Sequence, residues 1–136
     1  MNFNRTTEYA LRILSYMALH DDVICSAELL YAELKIPKKY LQRMLTDLSK
    51  GGFISSSRGR NGGFSFVRDI KSIFLADIIN FSEGVDWAPK CIFGFKECAL
   101  DSPCAIHNLW TENYIAQVKM LTTTSLADLK RQVSAG

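Results

Sequence analysis

A chain of 136 residues, 48% hydrophobic and 22% charged, carries enough apolar material for one modest core and lacks the polar, highly charged character of a disordered segment. No run approaches the roughly 18 apolar residues of a membrane span, and the N-terminal MNFNRTTEYALRIL lacks a short hydrophobic core followed by a small-residue cleavage site, so a cytosolic protein without membrane attachment is expected. The formal net charge is only +2, yet positions 35–71 hold nine Lys and Arg against two Asp, a net +7 beside a remainder of −5, a distribution suited to a polyanionic partner.

Along the chain, Tyr9, Ala10, Ile13, Leu14, Met17 and Ala18 recur at three- and four-residue spacing, which predicts an amphipathic helix over 3–19 ended by Asp21-Asp22. Val23-Ile24-Cys25 is a short apolar run. Ser26 can cap a second helix over 27–34, although leucines occupy the partner position of a capping box. Lys35-Ile36 make a turn, and Pro37 suits the first turn of a third helix running to about Lys50. Tyr40, Leu41, Met44, Leu45 and Leu48 are assigned to its buried side, and Gly51-Gly52 stop it. Residues 53–67 place two β-rich arms about a Gly- and Asn-rich tip, the pattern of a hairpin. A short helix is expected over the stretch 74–81, apolar at Leu75, Ile78 and Ile79 and ending near Gly84. Residues 84–104 contain Gly84, Pro89, Gly94 and Pro103 without a sustained period and read as an irregular loop. From 105 to 121 the row Ile106, Trp110, Tyr114 and Val118, joined by Leu109 and Leu121, marks a long helix, followed after 122–125 by a short helical tail over 126–133.

Helix, tight turn, proline-led helix and basic glycine-tipped hairpin form the order of a winged helix-turn-helix, so the expected fold is mostly α. The helix over 37–50 has the width of the DNA major groove and offers Lys38, Lys39, Gln42, Arg43 and Thr46 on its outward side. Gln42 and Arg43 can hydrogen-bond base edges, whereas Lys38 and Lys39 suit phosphates. Arg58 and Arg60 at the hairpin tip stand among glycines, so a guanidinium can enter a narrow minor groove. The plainer alternative is that these cations only solubilise a helical domain.

The cysteines divide unevenly. Cys25 stands alone beside apolar neighbours and is expected in the core. Cys91-x6-Cys98-x5-Cys104-x2-His107 gathers three thiols in a loop, and His107, one helical turn after Cys104, can supply a fourth ligand through an imidazole nitrogen. In a reducing compartment this pattern argues for metal or redox chemistry over a disulfide framework. Thiolates are the usual ligands of iron–sulfur clusters, and a zinc ribbon would show two tight knuckles instead. A structural zinc and a redox-active thiol pair stay open as alternatives. A P-loop, a GxSxG elbow and an HExxH helix are all missing, so neither an enzyme nor a small-molecule substrate is expected.

TTEYALRIL at 6–14, IPKKYLQRMLTDLSKGGFISSSRGRNGGF at 36–64 and LADIINFSEG at 75–84 resemble the regulator family of IscR and NsrR, most specifically in the S-x-R-G-x-x-G-G wing from Ser56 to Gly63. The resemblance runs over nearly the whole chain. It implies a homodimer bound to a duplex operator and paired through the helix over 105–121, with Trp110 in the core or the interface; ordinary packing within one chain is the other reading of that aromatic row. It also implies a DNA-binding region over 1–84, a cluster loop over 85–104 and a dimerisation helix with its tail over 105–136, all within a single compact domain. IscR-like members use three such cysteines with a histidine matching His107 and hold a [2Fe–2S] cluster. NsrR-like members use the three cysteines with a carboxylate near the N-terminus, donated across the dimer, and hold a [4Fe–4S] cluster; Glu8 stands near that position. Here the first cysteine gap is one residue longer than the IscR spacing, and Glu8 replaces the aspartate of the NsrR pattern. The expectation is [2Fe–2S] with His107, [4Fe–4S] with Glu8 being the alternative. Binding or losing the cluster would reorder the loop and act through the adjoining helices on the separation of the two recognition helices.

Overall fold

Asn4 starts the first helix by accepting the Thr7 N–H on its side-chain oxygen at 2.8 Å, and α1 (Arg5–Leu19) then turns Thr7, Ala10, Ile13, Leu14, Met17 and Ala18 inward. It ends at His20, whose ring lies 4.3 Å from that of Tyr16. In this computed structural model residues 2–84 and 106–135 are described, residues 131–135 by backbone alone. Around α1 pack α2 (Ala27–Leu34), α3 (Lys38–Lys50), α4 (Leu75–Glu83) and α6 (Leu126–Ala135). Their apolar faces form one cluster that includes Ile13, Leu14, Leu30, Ile36, Leu41, Leu48, Ile78 and Leu126.

The punctuation between elements follows from individual residues. Ser26 Oγ accepts the Leu29 N–H at 3.0 Å, so the cap of α2 forms without the reciprocal half of the box. Lys35 closes α2 in the left-handed region at φ 55°, the one non-glycine residue with positive φ among those described. Pro37 is the N-cap of α3 and lies just outside it, one residue earlier than the first-turn position expected for it. Its missing N–H is one of the donors that a helix start leaves unpaired.

β1 (Ile54–Ser57) and β2 (Gly63–Phe66) pair antiparallel, with Ile54 opposite Phe66 and Ser57 opposite Gly63. Cys25 joins them as a third short rung. Its N–H donates to the Phe64 carbonyl at 3.1 Å, and the Phe64 N–H returns to the Cys25 carbonyl at 2.8 Å. Gly63 permits this, because a Cβ there would lie 2.6 Å from the Cys25 carbonyl oxygen. A single 3-10 turn (Ile70–Ser72), capped by Asp69, then leads into α4.

α4 ends at Glu83 with Gly84 as its C-cap, where its end was expected, and the Phe74 N–H is held by Asp77 at 2.9 Å. α5 (His107–Thr123) outruns its expected end by two residues, and α6 begins directly after the Thr124-Ser125 link. That link is pinned: Leu75 donates to the Thr124 carbonyl at 3.0 Å and Leu126 to the Ile73 carbonyl at 2.9 Å. Lys130 of α6 pairs with Asp21 after α1. Of the described residues of α5, only Leu121 is buried.

Candidate nucleic-acid interface and metal-ligating residues

α3 sorts its side chains by face. Leu41, Met44, Leu45 and Leu48 are buried at 4% exposure or less, while Lys38, Lys39, Gln42, Arg43 and Thr46 all face solvent. The Thr46 hydroxyl folds back to donate to the Gln42 carbonyl at 3.0 Å, which leaves the Gln42 side-chain amide as an outward donor and acceptor. Tyr40 corrects the sequence reading: it is 54% exposed, not part of the buried side. It lies at the margin of the stripe defined by Leu41, Leu45 and Leu48. Its ring rests 6.1 Å from Tyr9 of α1, and the Arg12 guanidinium stands 5.8 Å from the centre of that Tyr9 ring. The sequence carries no sign of this aromatic and cationic group, because it joins residues of two helices.

The wing tip is built by glycines. Gly59 has φ 109°, its carbonyl accepts the Gly62 N–H at 3.0 Å, and a Cβ on Gly62 would run into the Ser57 carbonyl. Arg58, Arg60 and Asn61 are exposed on this tight turn. Arg68 belongs to the root instead. Its guanidinium lies over Phe53 at 5.2 Å and donates to the Ser72 carbonyl at 3.4 Å. Among the described residues, the two ion pairs are Arg12 with Glu8 and Lys130 with Asp21, and no described carboxylate pairs with the cations of α3 or of the tip.

Cys91, Cys98 and Cys104 lie outside the described residues. His107 is the first residue of α5 and is exposed. Glu8 is exposed on the first turn of α1, 3.9 Å from Arg12. Among the described residues no group of three or more His, Cys, Asp or Glu is gathered for a metal. Cys25 is no candidate ligand: it is 1% exposed, and burial first, then the charge of Asp22, pushes its thiol above the ordinary range.

The family model described as an iron-dependent transcriptional regulator, Rrf2, matches residues 3–132. The chain belongs to the Rrf2 family. A helix-turn-helix-type transcriptional regulator of Aquifex aeolicus is 33% identical over 114 residues, covering 82% of this chain and 79% of that protein. The regulator NsrR of Geobacillus kaustophilus is 28% identical over 131 residues, covering 95% of this chain and 89% of that protein. The structure of CymR, the global cysteine regulator of B. subtilis, superposes with a TM-score of 0.75 at 23% identity, covering 97% of this chain and 98% of that one. That likeness establishes the shared fold. As an Rrf2 protein the chain is a DNA-binding transcription regulator and not an enzyme, and the mostly helical winged-helix fold expected from its sequence is the one it has.

Proposed function

We propose that this Rrf2 regulator reads a duplex operator as a homodimer through α3 and the wing, and that a cluster ligated by Cys91, Cys98 and Cys104 makes its binding responsive to iron–sulfur status, redox state or nitric oxide. The observation that carries the DNA half is the division of α3 and the wing into a buried apolar side and an exposed cationic side without carboxylate partners among the described residues. In this reading Gln42 and Arg43 contact base edges, Lys38 and Lys39 contact phosphates, and Arg58 and Arg60 approach the minor groove. Dimerisation through α5 is supported by its uncovered apolar side chains, Leu109 at 63% and Ile115 at 52% exposure. Two protomers would meet half-sites about one helical turn, roughly 34–36 Å, apart.

The cysteines enter on the chemistry of the donor set. Three thiols and an imidazole within 17 consecutive residues suit an iron–sulfur cluster, which would supply the redox- and gas-sensitive centre when bound. The only described cysteine, Cys25, is buried and stands apart from that set. His107 is favoured as fourth ligand with a [2Fe–2S] cluster, since it follows Cys104 by one helical turn, lies exposed at the start of α5 and needs no second chain. Glu8 with [4Fe–4S] is the alternative, and cluster lifetime in His107→Ala and Glu8→Ala separates the two. A regulator of the same fold with structural zinc or a thiol switch is a second reading. The observation behind it is the fold shared with CymR, the global cysteine regulator of B. subtilis.

The DNA assignment is tested with an operator that the protein itself selects from a random duplex library. Replacing both Arg58 and Arg60 with Ala is expected to weaken binding at least tenfold, and Lys39→Ala to lower the salt slope by about one. Wild-type affinity of the double arginine variant at several salt concentrations would remove the wing from the interface.

A further inference from the structure

The last turn of α4 makes contacts in two directions with three successive side chains, Ser82 and Glu83 to the start of α1 and Phe81 to the end of α3. Ser82 Oγ lies 2.6 Å from the hydroxyl of Thr7, which is fully buried in α1. Glu83 accepts from that same hydroxyl at 2.5 Å and from the Asn4 N–H at 3.1 Å, so its carboxylate sits at the positive end of α1. Phe81 points the other way, towards the end of α3. It is 42% exposed, yet its ring meets Phe53 edge-on at 5.2 Å, and Phe53 in turn carries the Arg68 guanidinium.

Two adjacent glycines show what Phe81 does there. Gly52 has φ 82° and nothing within 4 Å of a hypothetical Cβ, so its backbone alone explains the glycine. Gly51 has φ −74°, which any residue adopts, yet a Cβ on it would stand 2.5 Å and 2.7 Å from ring carbons of Phe81. The missing side chain at 51 is the seat of the ring. Gly51 caps α3, and Phe53 is the hinge between α3 and the wing: its N–H donates to the Leu48 carbonyl at 3.1 Å, and its carbonyl accepts the Val67 N–H at 3.1 Å.

We propose that Phe81 is a positioning residue for DNA recognition: seated on Gly51 and Phe53, it fixes the end of α3 and the root of the wing against α4, whose next two residues hold the start of α1. The proposal rests on the assignment of α3 and the wing as the DNA-reading elements and goes beyond it by naming the contact that sets their presentation.

The test is a double-mutant cycle on Gly51→Ala and Phe81→Ala, read by affinity for the duplex that the wild-type protein selects from a random library. Gly51→Ala drives a methyl group into the ring, so it is expected to weaken binding at least tenfold in the wild type and by less than twofold in Phe81→Ala. Phe81→Leu gives a second background should Phe81→Ala fail to fold, and thermal midpoints separate lost affinity from lost stability. Equal losses in both backgrounds, or no loss in either, would overturn the proposal. Arg43→Ala and Arg58→Ala on the same duplex report on the reading elements themselves: wild-type affinity in both means that this assignment has failed. In that event the amide shifts of α3 and the wing still judge Phe81 without DNA. Shifts moved by Gly51→Ala and restored in the double variant support the positioning contact, and unmoved shifts contradict it.

Discussion

Burial decides the chemistry of individual side chains here. Cys25 has its thiol pushed up by loss of solvation and by Asp22, so the fold favours the protonated form. Its contribution to stability is therefore full below the ordinary thiol value, about 8.5, and is lost as pH rises from there through the higher folded value. Native protein at pH 8 is expected to alkylate at Cys25 at least tenfold more slowly than urea-unfolded protein, as read by mass spectrometry of the peptide; equal rates would contradict its burial. The sequence made Cys25 legible as core, because Val23 and Ile24 precede it, but not its pairing with Phe64 across the wing. Tyr40 was not legible. Its spacing from Met44 and Leu48 matches the buried stripe, yet it falls at the margin, where Tyr9 offers a ring to lie against instead of a core to enter.

At the scale of elements, periodicity and punctuation identified every described α-helix and the hairpin, with ends met or displaced by one or two residues, but not the 3-10 turn at Ile70–Ser72. Pro37 caps α3 from outside, and the last turn of α4, which ends beside Gly84 as expected, is held by Thr7 and Asn4, contacts that no sequence pattern announces. The seat of Phe81 on Gly51 was hidden for the same reason: a pair of glycines reads as a helix stop whether or not a distant ring fills the gap. α5 is the element whose environment is least complete in one chain, since Leu109 and Ile115 are more than half exposed. On the proposed homodimer, replacing both with Glu is expected to convert dimers into monomers in sedimentation while the thermal midpoint of the remaining fold changes little, because both side chains are more than half exposed in the single chain. Unchanged sedimentation would exclude α5 as the dimer contact.

At the scale of the molecule, the chain carries an exposed cationic face on α3 and the wing and, after the last turn of α4, a stretch with three cysteines. The exposed cationic side of α3 and the wing was legible because cations, glycines and apolar periodicity lie close together in sequence. The proposed ligands are legible only as residue types, since thiol spacing restricts the possible metals without fixing one. The most direct measurement is the affinity of anaerobically purified protein for its selected operator, in wild type and Cys98→Ala, taken with visible spectra and with iron, sulfide and zinc counts on the same samples. The account predicts visible absorbance with iron and acid-labile sulfide in the wild type, loss of both in Cys98→Ala, and at least a tenfold difference in operator affinity between them. Stoichiometric zinc without sulfide, or equal operator affinity for the two proteins, would contradict it.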